Sequence, residues 1–220
     1  VAAWDLVVFD NDGVLVDSEL LANAALAELL TGLGHPTTLE ESMDRYLGGS
    51  VRRVRELVDA SGGPVLPDDF EDRYHAEVFR LFRAGLRPVP GVAAVIAGLR
   101  TDRCVASSGT HERIRMTLAT VGLLDAFEEA IYSAEDVAHG KPAPDLFLHA
   151  AASRGARPSR CVVIEDSPAG VAAAGAAGMT VLGFARLTPA ARLADADAVF
   201  DDMADLPGLL AGVRVRRDAP

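Results

Sequence analysis

An apolar run, Trp4-Asp5-Leu6-Val7-Val8-Phe9, stops abruptly in Asp10-Asn11-Asp12-Gly13-Val14. A stretch so rich in β-branched and aromatic residues reads as a buried central strand of a parallel sheet, and in open α/β sheets ligands sit beyond the carboxyl ends of such strands. Gly13 permits a sharp turn at that point. Two carboxylates two residues apart repel one another unless a cation or a shared proton holds them. The pair therefore predicts a hard, oxygen-liganded metal such as Mg²⁺, and with it phosphate chemistry. Read alone, Asp-Asn-Asp-Gly suits an ordinary Asx turn equally well.

Three further segments bear on that choice. The short run Arg103-Cys104-Val105-Ala106 ends in Ser107-Ser108-Gly109-Thr110, where hydroxyls and free backbone N–H groups can hold phosphate oxygens. Small polar residues also follow many ordinary strands. The second segment is Gly140-Lys141-Pro142-Ala143-Pro144-Asp145, and Lys141 is the single lysine among 21 Lys and Arg residues. In a chain so biased toward arginine, a retained lysine is informative. Its compact charge on a flexible stem can neutralise a phosphoryl group where a planar guanidinium would not fit, and Pro142 and Pro144 stiffen the loop that presents it. The third, Cys161-Val162-Val163-Ile164-Glu165-Asp166-Ser167-Pro168-Ala169-Gly170, is a second buried-strand run ending in paired acids. Two acidic strand ends in one domain imply a shared cation more readily than two independent turns.

The remaining pattern predicts an α/β fold, a doubly wound parallel sheet with an inserted helical cap. Strands are expected near 6–9, 104–107, 130–133, 161–164 and 180–184, with helical stretches between the last four, one of them over 170–177. That alternation means a parallel sheet with helices on both faces. The first crossover is far too long for one helix and reads as several: 20–30, 40–46, 51–60 and 68–83. The expected division is a catalytic core of 1–16 and 88–220 with a helical cap of 17–87, its exit Arg87-Pro88-Val89-Pro90-Gly91 having linker composition. Cys104 and Cys161 fall on strands expected to flank the first one on opposite sides, roughly 9–10 Å apart. That is too far for a disulfide, so free thiols in a reducing compartment, the cytoplasm, are expected.

A formal net charge of -11 argues against nucleic acid and anionic membranes as partners. No apolar stretch approaches a membrane span, and the start of the chain lacks the basic region of a signal peptide. A monomer or weak dimer is expected. An anionic substrate nonetheless requires local positive charge. Lys141, a metal and cap arginines are its sources, whereas the cluster Arg214-Val215-Arg216-Arg217 reads as a solvated end.

With these segments in this order, the chain resembles the haloacid dehalogenase superfamily of phosphotransferases, in the branch that includes β-phosphoglucomutase and small sugar-phosphate phosphatases. The resemblance rests on Asp10-Asn11-Asp12-Gly13-Val14, Ser107, Lys141 in its Gly-Lys-Pro-Ala-Pro-Asp context, and Glu165-Asp166. It implies a covalent mechanism in which Asp10 attacks phosphorus and Asp12 first protonates the leaving oxygen, then deprotonates water. It also implies that Mg²⁺ is held by Asp10, the backbone carbonyl of Asp12 and Asp166, with Glu165 a close or water-mediated partner. Ser107 and Lys141, with Ser108 and Gly109, would bind the transferring phosphoryl group. The expected partner is a small phosphorylated metabolite. A signalling receiver also uses Mg²⁺ and a phosphorylated aspartate, but there the acceptor follows the third strand rather than the first.

The mutase pattern implied by the resemblance carries a histidine where this chain has Ala22, and basic residues around a cap glycine loop that here reads Leu47-Gly48-Gly49-Ser50-Val51-Arg52-Arg53. Leucine and valine occupy the expected basic positions. A phosphatase is therefore expected over a β-phosphoglucomutase-type mutase, and a phosphoglycolate-type phosphatase is a further alternative. Glu19, Ser50, Arg52 and Arg53 are the candidate substrate contacts of the cap, although for either arginine a solvated helix face is the plainer role.

Overall fold

The structure, a computed structural model, describes residues 4–49 and 51–213. In chain order its principal elements are β1 (Leu6–Phe9), α1 (Glu19–Gly32), α2 (Leu39–Tyr46), α3 (Val51–Ala60), α4 (Phe70–Gly85), α5 (Val92–Gly98), β2 (Asp102–Ser107), α6 (His111–Thr120), β3 (Ile131–Ser133), α7 (Asp145–Ser153), β4 (Cys161–Glu165), α8 (Pro168–Ala176), β5 (Thr180–Phe184), β6 (Ala198–Phe200) and α9 (Leu206–Gly212). They form two compact units, one made of the chain up to Val16 and from Pro88 onward, the other of Asp17–Arg87.

In the first unit six strands form one sheet in the order β3-β2-β1-β4-β5-β6, and every pairing is parallel. The order reverses at β1. Right-handed crossovers leading to either side of that strand carry their helices to opposite faces of the sheet, and the crevice at the reversal is where such sheets bind ligands. Leu6, Val7, Val8 and Phe9 have no exposed surface. Each contributes roughly 1.5–3 kcal/mol of burial, which is why the run pairs on both edges instead of lying at the rim. Register then levels three chain ends, because Phe9 lies beside Val105 of β2 and beside Ile164 of β4. Asp10, Ala106 and Glu165 follow directly.

The strand β6 was not expected from the sequence. It is three residues long, lies at the sheet edge, and its Val199 is 37% exposed, so its apolar run is too short to stand out between the flanking acids. The helix expected over 170–177 is instead α8, which begins at Pro168, a residue that suits the first helical turn. Cys104 and Cys161 are free and buried, on the two strands flanking β1. Burial pushes both thiols up, Cys161 to about 12, so they act as apolar filler.

The second unit holds α1 to α4 around a small core of its own: Leu26, Leu30, Tyr46, Val54, Val58, Leu66 and Phe70. Here α2 opens with a capping box, Thr38 accepting from the Glu41 N–H while the Glu41 carboxylate accepts from the Thr38 N–H. Among the described residues no helix is long and apolar enough to cross a membrane.

Candidate active site

Lys141 is the hub of the site. Its Nζ donates to Asp10 Oδ1 at 2.8 Å, to Glu165 Oε1 at 2.6 Å and to the Ala106 carbonyl at 3.0 Å. An ammonium has three N–H donors, so these acceptors, one from each of the three central strands or its carboxyl end, use all of them. The Phe147 ring lies 4.9 Å from the same nitrogen. Only 4% of the lysine side chain is exposed. Burial alone would pull its pKa down, but Asp10 and Glu165 more than offset that and hold the ammonium above its ordinary range. At Asp10 burial dominates and pushes the carboxyl up to about 7. Lys141 opposes that shift, while Glu165 and Asp12 reinforce it.

Glu165 is fully buried, with both oxygens satisfied by the protein. Oε1 faces Lys141, and Oε2 accepts from the Ser167 N–H and hydroxyl, each at 2.9 Å. Ser167 Oγ in turn accepts from the Gly170 N–H and caps α8. Gly170 has to lack a side chain, because a Cβ there would overlap the Glu165 carboxylate. Gly13 is constrained twice over, by φ +76° and by the Asp166 carboxylate, which lies where its Cβ would stand. The glycine thus lets Asp166 close against the turn after β1. Asp10, Glu165 and Asp166 each present a carboxylate oxygen, all within 4.8 Å of one another. Three buried or half-buried acids this close, with two held by one ammonium, form an all-oxygen donor set that fits a hard divalent cation.

The Asp12 carboxylate does not join that cluster. Its Oδ1 accepts from Arg113 Nη2 of α6 at 2.9 Å. Ser107, 2% exposed, ends β2 with its Oγ accepting from the Gly109 N–H at 3.2 Å, while Ser108 is exposed. The Gly109 carbonyl accepts from Ser133 Oγ at 2.6 Å. Arg113 and Ser133 had no signal in the sequence: the first sits in an ordinary amphipathic helix, the second in one of many Ser-containing strand ends.

In the second unit, Glu19 Oε2 accepts from Asn23 Nδ2, and buried Ser42 Oγ donates to Asn23 Oδ1. Arg52 and Arg53 both pair with Glu56 on the exposed face of α3. Ser50 lies outside the described residues, as does the cluster 214–217.

The sheet reversal and the acids and buried lysine gathered there define an enzyme of the doubly wound α/β class with an acidic centre. The chain belongs to the haloacid dehalogenase-like hydrolase family, whose model matches residues 4–178. It is 30% identical over 181 residues to the 6-phosphogluconate phosphatase of Escherichia coli strain K12, covering 82% of each chain. Among solved structures it is similar to a conserved haloacid dehalogenase-like protein of unknown function from Agrobacterium tumefaciens, at 38% identity and TM-score 0.89, covering 94% of this chain and 98% of that one. A hydrolase of the same family from Deinococcus radiodurans R1, solved with bound phosphate and sodium, is 32% identical with TM-score 0.81 over 96% of each chain.

Proposed function

We propose that the protein is a Mg²⁺-dependent phosphatase of a small phosphorylated metabolite, a sugar phosphate or sugar-acid phosphate, working through an aspartyl phosphate on Asp10. The observation that carries the reading is the Lys141 ammonium held between Asp10 and Glu165 at the sheet reversal, with a second acid two residues beyond the first. The sugar-phosphate relative and the phosphate-bound relative support the same class.

Asp10, Asp166 and the backbone carbonyl of Asp12 would hold the metal, with Glu165 anchoring Lys141 beside it. Bound there, Mg²⁺ would supply neutralising charge to the phosphoryl oxygens. An Asp10 carboxylate oxygen attacks phosphorus, the bond to the leaving oxygen breaks, and that oxygen takes its proton from Asp12. A water then gives a proton to Asp12 as its oxygen attacks the same phosphorus, and the bond to Asp10 breaks to release inorganic phosphate. Ser107 would hold the transferring group while the Lys141 ammonium, kept on Asp10, Glu165 and the Ala106 carbonyl, offsets its charge from close by, since phosphoryl transfer depends on positioning and charge more than on covalent chemistry.

Ala22 stands where the mutase pattern has a histidine, and Leu47 and Val51 where it has the basic residues that would retain a bisphosphate, which favours water as the final acceptor. A phosphate-release screen with Mg²⁺ over sugar phosphates, 6-phosphogluconate, 2-phosphoglycolate and β-glucose 1-phosphate tests the reading. Release from sugar or sugar-acid esters is expected. Release from none of the esters would overturn the phosphatase reading, and conversion of β-glucose 1-phosphate to the 6-phosphate would assign the mutase instead.

A further inference from the structure

Helix α6 grips the acidic loop at two successive levels. Asn11, fully buried, donates through Nδ2 to Thr117 Oγ1 at 3.1 Å. One turn earlier, Arg113 donates to Asp12 at 2.9 Å. Residues four apart share a helix face, so one stripe of α6 holds residues 11 and 12 in order. The start of that helix is itself pinned. Thr110 Oγ1 accepts from the Arg113 N–H at 3.2 Å, Glu135 accepts from the His111 N–H at 2.8 Å, and the His111 ring meets Asp136 at 2.8 Å. The Arg113 and Asp12 side chains are each 19% exposed, sheltered enough for the geometry of the pair to matter more than it would at a wet surface.

We propose that Arg113 is the positioning residue for Asp12, fixing the carboxylate in one place so that it meets first the leaving oxygen and then the attacking water. The inference rests on the reading of Asp12 as acid and base. Asp12 follows the nucleophile by two residues in a turn whose backbone is closed by Asn11 and Val16, with the Leu15 and Val16 N–H groups on the Asn11 carbonyl. Its side chain is met from another element, by Arg113 of α6, 101 residues away. Arg113 touches no reacting atom in this role and acts through Asp12 alone.

The test compares wild type, Asp12→Asn, Arg113→Met, Arg113→Lys and the double variant Asp12→Asn/Arg113→Met. Each is assayed with Mg²⁺ on p-nitrophenyl phosphate and on the most active alkyl phosphate of the screen. An alkoxide needs a proton to leave and nitrophenolate does not, so the first step on the aryl ester bypasses Asp12 while hydrolysis of the aspartyl phosphate still needs it. Arg113→Met keeps most of the stem. It is expected to lower kcat on the alkyl ester about 10- to 100-fold with KM little changed, the scale of a displaced acid–base group. On the aryl ester it should give a burst of nitrophenolate before a slow steady state. Arg113→Lys should recover part of the loss, and in the double variant Arg113→Met should cost nothing beyond Asp12→Asn. A purely structural role would instead slow both esters alike, without a burst, and add to the effect of Asp12→Asn; that result, or wild-type kinetics, overturns the inference. If Arg113→Met does not fold, Arg113→Lys decides, since wild-type rates on both esters with no burst would overturn it equally. The two readings fail separately. An inert wild type removes the phosphatase and with it this role, whereas an active wild type with Asp12→Asn impaired and Arg113→Met unaffected removes Arg113 alone.

Discussion

Lys141 commits all three ammonium protons inside the protein, and that sets what its replacement must do. A guanidinium in the same space presents a planar fork, which cannot point at Asp10, Glu165 and the Ala106 carbonyl together. Lys141→Arg is therefore expected to fail almost as badly as Lys141→Ala, each losing about 100- to 1,000-fold in kcat, roughly 3–4 kcal/mol of transition-state stabilisation. Steady-state assays with Mg²⁺ check this, and an arginine variant within a few-fold of wild type would refute it. Lys141→Ala also strips the cation from Glu165, which is fully buried. Removing one partner of a buried pair typically costs about 3–5 kcal/mol, so urea unfolding of the metal-free variant should show a loss of that order. At this scale the sequence was informative wherever a residue type was unusual for its place, as with the lone lysine and the acids after apolar runs. It was silent on Arg113 because an arginine in a solvated helix face and one turned onto Asp12 leave the same pattern.

Elements were legible in proportion to their burial. Strands β1, β4 and β5 are buried along their whole length and read as unbroken apolar runs, whereas β6 is too short and too wet to leave a trace. The four helices of Asp17–Arg87 were expected within a few residues of their bounds, the largest shift being α4, read as 68–83 and found at Phe70–Gly85. Side-chain caps mark two helix starts: Thr38 and Thr110 open α2 and α6 with bonds to the first turn. The join between β4 and α8 is where an element and the site meet, because one hydroxyl, that of Ser167, both caps the helix and donates to Glu165. Ser167→Ala should cost about 1 kcal/mol for the cap and a comparable amount for the bond lost from a buried carboxylate, read as a lower urea midpoint with unchanged slope. An unchanged midpoint would mean that the Ser167 backbone N–H suffices to hold Glu165.

For the whole molecule the governing fact is charge. The chain carries a formal net charge of -11, yet it gathers Asp10, Glu165 and Asp166 within one small volume, so in the metal-free protein protons and cations compete for the same oxygens. The direction of that competition follows from Asp10, whose carboxyl is raised by burial from its ordinary 3.8 to about 7. A group raised on folding binds more protons in the native state than in the unfolded chain, so its contribution to stability is greatest below about pH 4 and is lost as pH climbs through about 7. Mg²⁺ works the other way. It binds the ionised carboxylate, so its affinity and its stabilisation of the native state grow over the same window in which the proton's contribution disappears. Thermal melts with chelator and with saturating Mg²⁺ at pH 5.5 and pH 8 should therefore show a larger upward shift in Tm at pH 8. Asp10→Asn, which leaves nothing at that position to titrate, should shrink the difference between the two pH values. A shift that is equal at both, or absent in wild type, would place the cation elsewhere and leave the Lys141 ammonium as the counter-charge shared by Asp10 and Glu165.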